Sequence, residues 1–182
     1  MRSLVAILFF AIACNLNSFS QDKKEKIRWQ EDRPLTLEDF KAEPDESLSY
    51  SANTNSGIGY SWDYSTASGT PVLKHEVTSN FYPELSWVKE VDDLEYLLAH
   101  EQLHFDISEL HARKLRKALT EYEIGRNIRL DLKRIYNKIE TERSLMQKSF
   151  DKETSHSENY EAEMRWRKFV ANELEKMKKY SS

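Results

Sequence analysis

His100-Glu101-Gln102-Leu103-His104 spells H-E-x-x-H inside a stretch with the periodicity of one long helix. On a helix of 3.6 residues per turn, positions four apart lie about 40° from each other, so both imidazoles can reach one ion. Glu101 projects to the same side, where it can hold a water and take its proton. This is the geometry of zinc hydrolases, and it makes His100 and His104 candidate metal ligands and Glu101 a candidate general base. From Glu95 onward, Gln102, Asp106, Glu109 and Arg113 share a polar stripe expected to face water, while Leu97, His100, His104, Ile107 and Leu115 fall on the opposite side. Ionisable rings turned inward need a partner. A metal would supply one, and hydrogen bonds from two core histidines to backbone are the structural alternative.

A catalytic zinc usually takes three protein ligands and keeps one position open. His111 shares the face of His100 and His104 but sits about 10 Å along the axis from His104. Phe105 to Glu109 has no glycine to turn the chain, so His111 is expected to be satisfied in the core. His75 falls in a strand pattern with Leu73 and Val77, as a packed strand residue or a pocket residue. The stretch Phe150-Asp151-Lys152-Glu153-Thr154-Ser155-His156 reads as the break between two helices and offers Asp151, Glu153 and His156 in a connection that can adapt to an ion. Imidazole is the commoner zinc ligand, which puts His156 modestly ahead of the two acids. The same residues also read as a capping box, Ser155-His156-Ser157-Glu158, with Asp151 and Glu153 as surface acids. Glu140 and Glu142 are outside candidates. Spacing leaves these alternatives open.

The elements that must position these groups divide into a β-leaning front and a helical back. Thr36 and Asp39 suggest the cap of a short helix after Arg33-Pro34. Ile58, Tyr60 and Trp62 alternate with small residues, a strand with one packed face, and Ala67 to Thr70 is the expected turn into a second strand marked by Leu73, Val77 and Phe81. The motif helix is expected from about Asp92 to Thr120, with Gly125 beyond its end. A second helix carries Ile128, Leu132, Ile135, Ile139, Met146 and Phe150 on one stripe. A third runs from about Ser157 to Tyr180, with Trp166, Val170, Leu174 and Met177 inward. The pattern is that of a single α+β domain.

Met1 to Ser20 has one cation, Arg2, then an apolar run from Leu4 to Ala13, and ends in Ser18-Phe19-Ser20, as an exported protein's signal peptide does. The run is too short for a transmembrane span, and nothing after it is long and apolar enough to be one. A rival lipoprotein-type cut precedes Cys14, which would anchor the chain by lipid. Either way the expected location is extracytoplasmic, secreted or periplasmic. Removing residues 1–20 takes Arg2 from the 27 Lys and Arg, leaving 26 against 31 Asp and Glu, a net −5, and it removes the single cysteine. Residues 21–182 would then fold without a disulfide, relying on packing, a metal or both. The charges are mixed throughout with no basic stripe, which argues against a nucleic-acid partner.

The run HEQLHFDISELHARKLRKAL, together with RPLTLEDF, SGIGY and SWV, resembles a bacterial domain-of-unknown-function family described as predicted secreted zinc-dependent proteases. A later family element, Y-D-x-E-T-x-H-G-x-N, is matched by Phe150, Asp151, Glu153, Thr154, His156 and Asn159, with Phe150 in place of Tyr and Ser157 in place of Gly. The resemblance implies a zincin-like fold, an N-terminal sheet beside the motif helix, and His156 as the third ligand of a Zn²⁺ ion with His100 and His104. The implied activity is hydrolysis of peptide or protein substrates with Glu101 as general base. A zinc-dependent amidase acting on cell-envelope peptides would use the same groups. A non-enzymatic envelope interaction module would use the histidines structurally.

Overall fold

The computed structural model describes residues 25–182. The expected signal peptide, both cleavage sites and Cys14 lie outside these residues. The chain forms β1 (Ile27–Arg28), β2 (Ala52–Asn53), β3 (Ser56–Ser65), β4 (Val72–Phe81), β5 (Trp87–Val88), α1 (Leu94–Thr120), α2 (Ile128–Thr154) and α3 (Tyr160–Lys176). It is an α+β fold with a small sheet and three helices. No helix among the described residues is long and apolar enough to cross a membrane.

The first sheet has the order β1-β4-β3, antiparallel throughout, with β3 and β4 registered from Ser56↔Phe81 to Ser65↔Val72. Alternation works as the sequence suggests. Ile58 is buried, and Tyr60 and Trp62 pack beside it, the ring of Tyr60 stacking on Tyr136 of α2 at 5.1 Å. On the other face a Cβ at Gly59 would come within 2.8 Å of Thr78 and Asn80, so the close approach of β4 there needs glycine. The second sheet is the short pair β2-β5, with Ala52↔Val88 and Asn53↔Trp87 opposed. The expected cap at Thr36 is present, the backbone N–H of Thr36 donating to Asp39 at 2.9 Å.

Helix α1 is the hub. It supplies Ala112, Leu115 and Leu119 to a core shared with β3, β4 and α2; Leu103 and Ile107 to one shared with Phe150 and Val170; and Phe105 to one with Leu35 and Phe81. This overturns the polar stripe expected to face water. Glu109 is fully buried and Arg113 only 4% exposed, because β4, α3 and the chain after it pack over that face of α1. Its charges are paired instead. Glu109 accepts from Arg113 and Arg116, each at 2.9 Å, and those two arginines also donate to the carbonyls of Leu174, Val77 and Tyr180. Asp106 accepts from Trp29 Nε1 and from Gln102 Nε2, both at 2.7 Å.

Two boundaries differ from expectation. Helix α2 runs one turn further, so Asp151 and Glu153 belong to its last turn rather than to a flexible connection. No glycine or proline stops it, and the buried Thr154 hydroxyl bonds back to Phe150 O at 2.7 Å. The alternative capping box at Ser155 does not form. Ser155 takes a left-handed conformation as the C-cap of α2, and Asn159 caps α3 by accepting from Ala162 N–H at 3.1 Å.

His111 is a core residue, as the axial distance suggests. Its Nδ1 donates to Ile107 O at 2.8 Å, and its Nε2 is buried without a partner among the described residues. Burial pushes its pKa down to about 4, with Lys114 and Arg143 adding to the shift and the Ile107 carbonyl and Glu140 opposing it. The folded protein thus keeps His111 neutral where the unfolded chain, near 6.5, takes up a proton. Stability from this group is full above pH 6.5 and falls as pH drops toward 4. Relative to His111→Leu, the wild type should lose about 2 kcal/mol between pH 7 and pH 4.5 in urea unfolding with chelator present. A constant difference between the two proteins would show that His111 does not titrate on unfolding.

Candidate metal centre

The N-terminal half of α1, the last turns of α2 and the segment before β3 enclose a cleft of about 290 Å³ whose wall includes His100, Glu101, His104, Asp151 and His156. Phe150, fully buried, lies behind the two imidazoles. Its ring stacks under His100 at 4.5 Å and meets His104 edge-on at 4.9 Å. The imidazoles therefore cannot swing inward, and one edge of each faces the cleft.

Asp151 Oδ1 is the point of convergence. It lies 2.9 Å from His104 Nε2, 3.7 Å from His100 Nε2 and 3.6 Å from His156 Nδ1. Donor atoms around one tetrahedral zinc, bonded at about 2.0–2.1 Å, are separated by about 3.3 Å. His100, His104 and Asp151 each bring a ligand atom within 4.8 Å of one another, and His156 falls outside that group. Half exposed, His156 stacks on Tyr50 at 5.1 Å, and Tyr50 stacks in turn on Trp87. It stands at the rim, beside Asp151 and above the buried pair.

The far ring nitrogens are also engaged. His100 Nδ1 meets Glu163 Oε2 of α3 at 2.8 Å, and His104 Nδ1 meets Gln147 Oε1 of α2. Gln147 Nε2 donates to His104 O at 2.8 Å, which orients the amide so that its oxygen receives the ring N–H. Both oxygens can only accept, so both imidazoles carry their proton on Nδ1 when neutral and turn Nε2 to the cleft.

Electrostatics favour a cation. Burial works against a charged His100, yet the carboxylates of Asp151 and Glu163 outweigh it and lift its pKa to about 9. His104 is raised on the same balance, burial opposing and Asp151 and Glu101 prevailing. Burial alone would raise Asp151, but the two imidazoles hold it well below the usual carboxylate range. A field that retains protons on imidazole also favours a divalent ion in their place. Glu101, 3% exposed, has a buried Oε2 without a hydrogen-bond partner among the described residues. An orphaned carboxylate oxygen on the wall of this cleft fits a group that binds or carries a proton there. The donor set of two imidazoles and a carboxylate suits zinc.

The structure thus brings His100, Glu101, His104 and Asp151 together and leaves His156 adjacent. Glu153 turns away to accept from Trp166 Nε1 at 2.9 Å, Glu140 pairs with Arg143, and Glu142 lies 3.9 Å from Lys138. His75 is on β4 opposite Trp62, away from the cleft. Sequence reasoning missed Gln147 and Glu163. For Glu163 a signal existed: it lies three residues before Trp166 and seven before Val170, an acid on the inward stripe of α3.

Three successive non-glycine residues, Ser155, His156 and Ser157, have φ of 50°, 53° and 75°. This left-handed run returns the chain sharply and holds His156 at the rim, with its N–H bonded to Asp151 O at 3.0 Å. Such residues are disfavoured by about 1–2 kcal/mol each.

A family model of bacterial proteins of unknown function (DUF922) matches residues 37–157, a span that includes the α1 motif, Asp151 and His156 and stops before α3. No curated protein and no solved structure matches the chain.

Ser157→Gly should stabilise the fold by about 0.5–1 kcal/mol, relief of the left-handed backbone exceeding the added freedom of the unfolded chain. Urea unfolding measures it, and a destabilised variant would mean that the Ser157 side chain contributes more than its backbone costs.

Proposed function

The chain belongs to the DUF922 family of bacterial proteins of unknown function, and we propose that it is a zinc-dependent metallopeptidase with a zincin-like arrangement, acting outside the cytoplasm. The observation that carries this reading is the convergence of His100 Nε2 and His104 Nε2 on Asp151 Oδ1, with Glu101 Oε2 unpartnered on the same cleft. His100, His104 and Asp151 would hold the ion. The family resemblance favours His156 as third ligand. The separations favour Asp151, with His156 as a rim donor.

A bound zinc ion supplies Lewis-acid polarisation of a carbonyl and makes a coordinated water more acidic. The chain's own residues do the rest. Glu101 accepts a proton from the attacking water as the new C–O bond forms, then delivers it to the amine nitrogen as the C–N bond breaks. Phe150 keeps water from the inner edge of both imidazoles. Asp151 and Glu101 supply the negative charge that a divalent ion requires.

An extended polypeptide is the substrate class that the surroundings support. Tyr50 through Thr54 line the cleft without interruption. Side chains of a strand alternate between faces, so five consecutive residues touch one cavity only along the backbone edge. Among the described residues, strand β2 in this stretch pairs with β5 alone, and its other edge could pair with an incoming chain. Strand β3 is also an edge, but at the cleft its Ser56 carbonyl already accepts from Arg143 at 3.3 Å.

The purified protein should carry about one zinc per chain. His104→Ala and Asp151→Ala should lose it, and His156→Ala should keep it with weakened affinity. Loss in His156→Ala with retention in Asp151→Ala would transfer the third-ligand role to His156. Glu101→Gln should keep zinc while hydrolysis of a denatured protein substrate falls by at least about 10²-fold. Unchanged hydrolysis would remove Glu101 from the chemistry.

A further inference from the structure

We propose that α3 sets the metal affinity of the site through Glu163, a positioning residue that acts on His100; this rests on the metal reading above. Glu163 is fully buried, and such a carboxylate in a protein interior persists only when its oxygens are answered. Oε2 meets His100 Nδ1 at 2.8 Å and Oε1 accepts from Arg167 Nε at 2.9 Å. Arg167 is itself anchored to the first turn of α1, where its guanidinium lies 5.2 Å from the Tyr96 ring and donates to Tyr96 O at 3.4 Å. The side chain is thus fixed from both ends, with one oxygen committed to the imidazole.

The consequence lies at the opposite edge of the ring. A carboxylate oxygen accepts and does not donate, so it holds the His100 proton on Nδ1 and leaves the Nε2 lone pair directed at the cleft. The anion also makes that nitrogen a stronger donor to a cation. Gln147 does the first of these for His104 but brings no charge. The two histidines of the motif are therefore supported unequally, one by a neutral amide from α2 and one by an anion from α3. A helix that begins three residues past the matched span of the family closes the support of a ligand near the start of α1.

The test is zinc affinity, by competition with a chromophoric chelator, for the wild type, Glu163→Gln and Val170→Ala, well below each protein's unfolding temperature. Val170 is fully buried on the same helix, in the core cluster with Leu103, Ile107 and Phe150, and does not line the cleft, so its truncation loosens the packing of α3 while leaving the Glu163 carboxylate on His100. Glu163→Gln should weaken zinc binding about 10–100-fold while Val170→Ala loses stability and keeps its affinity. Wild-type affinity in folded Glu163→Gln, or an equal loss in Val170→Ala, would overturn the proposal. Failure of the wild type to bind zinc would overturn the metal reading and this inference together. A wild-type measurement guards against a variant that does not fold: ¹⁵N spectra of the zinc-loaded protein should show the His100 proton on Nδ1, and a proton on Nε2 would also overturn it.

Discussion

An unpaired charge or imidazole inside a protein costs several kcal/mol, and α1 carries a series of them through the middle of this fold. Their partners come from other elements. Trp29, in the segment after β1, answers Asp106. The carbonyls of Val77, Leu174 and Tyr180 answer the two arginines that flank Glu109. Gln147 and Glu163 answer the two motif histidines. These bonds span long sequence separations, so forming them docks the amino-terminal segment, the sheet and both later helices onto α1. Hydrophobic contact brings the layers together, and polar satisfaction fixes their register.

The cleft is where that satisfaction is left incomplete. Around Glu109 each group has a partner, and the result is an inert buried network. Around His100 and His104 the inner nitrogens are bonded and the outer ones face a single carboxylate. Glu101 has an oxygen with no hydrogen-bond partner among the described residues. The difference between a structural charge network and a candidate reactive one on the same helix is therefore the set of valences left open toward solvent-accessible space.

Backbone geometry at the α2–α3 connection shows a similar balance. Three left-handed residues in succession are unfavourable, yet they reverse the chain within a few residues and bring both the end of α2 and the start of α3 against the first turns of α1. Asp151 arrives from one side of that reversal and Glu163 from the other. The local strain is compensated by the burial of Phe150, Thr154 and Val170, which the reversal makes possible.

Much was legible in the residues themselves. Periodicity gave both long strands and the three helices because side-chain spacing along a strand or helix is a local property, and the H-E-x-x-H spacing gave the facing imidazoles for the same reason. The Thr36–Asp39 cap is equally local. The supposedly wet stripe of Gln102, Asp106, Glu109 and Arg113 was misread because whether a polar face meets water depends on what packs over it, and a wheel drawn for one helix contains no neighbours. The extension of α2 past Asp151 was missed because a chain reversal without glycine leaves no compositional mark. Gln147 and Glu163 lie 43 and 63 residues from their histidines. What the sequence alone determined was the chemistry available on α1. Which carboxylates stand beside it, and which nitrogen of each histidine is left free, was decided by tertiary packing, because those are contacts between surfaces that only the folded layers bring together.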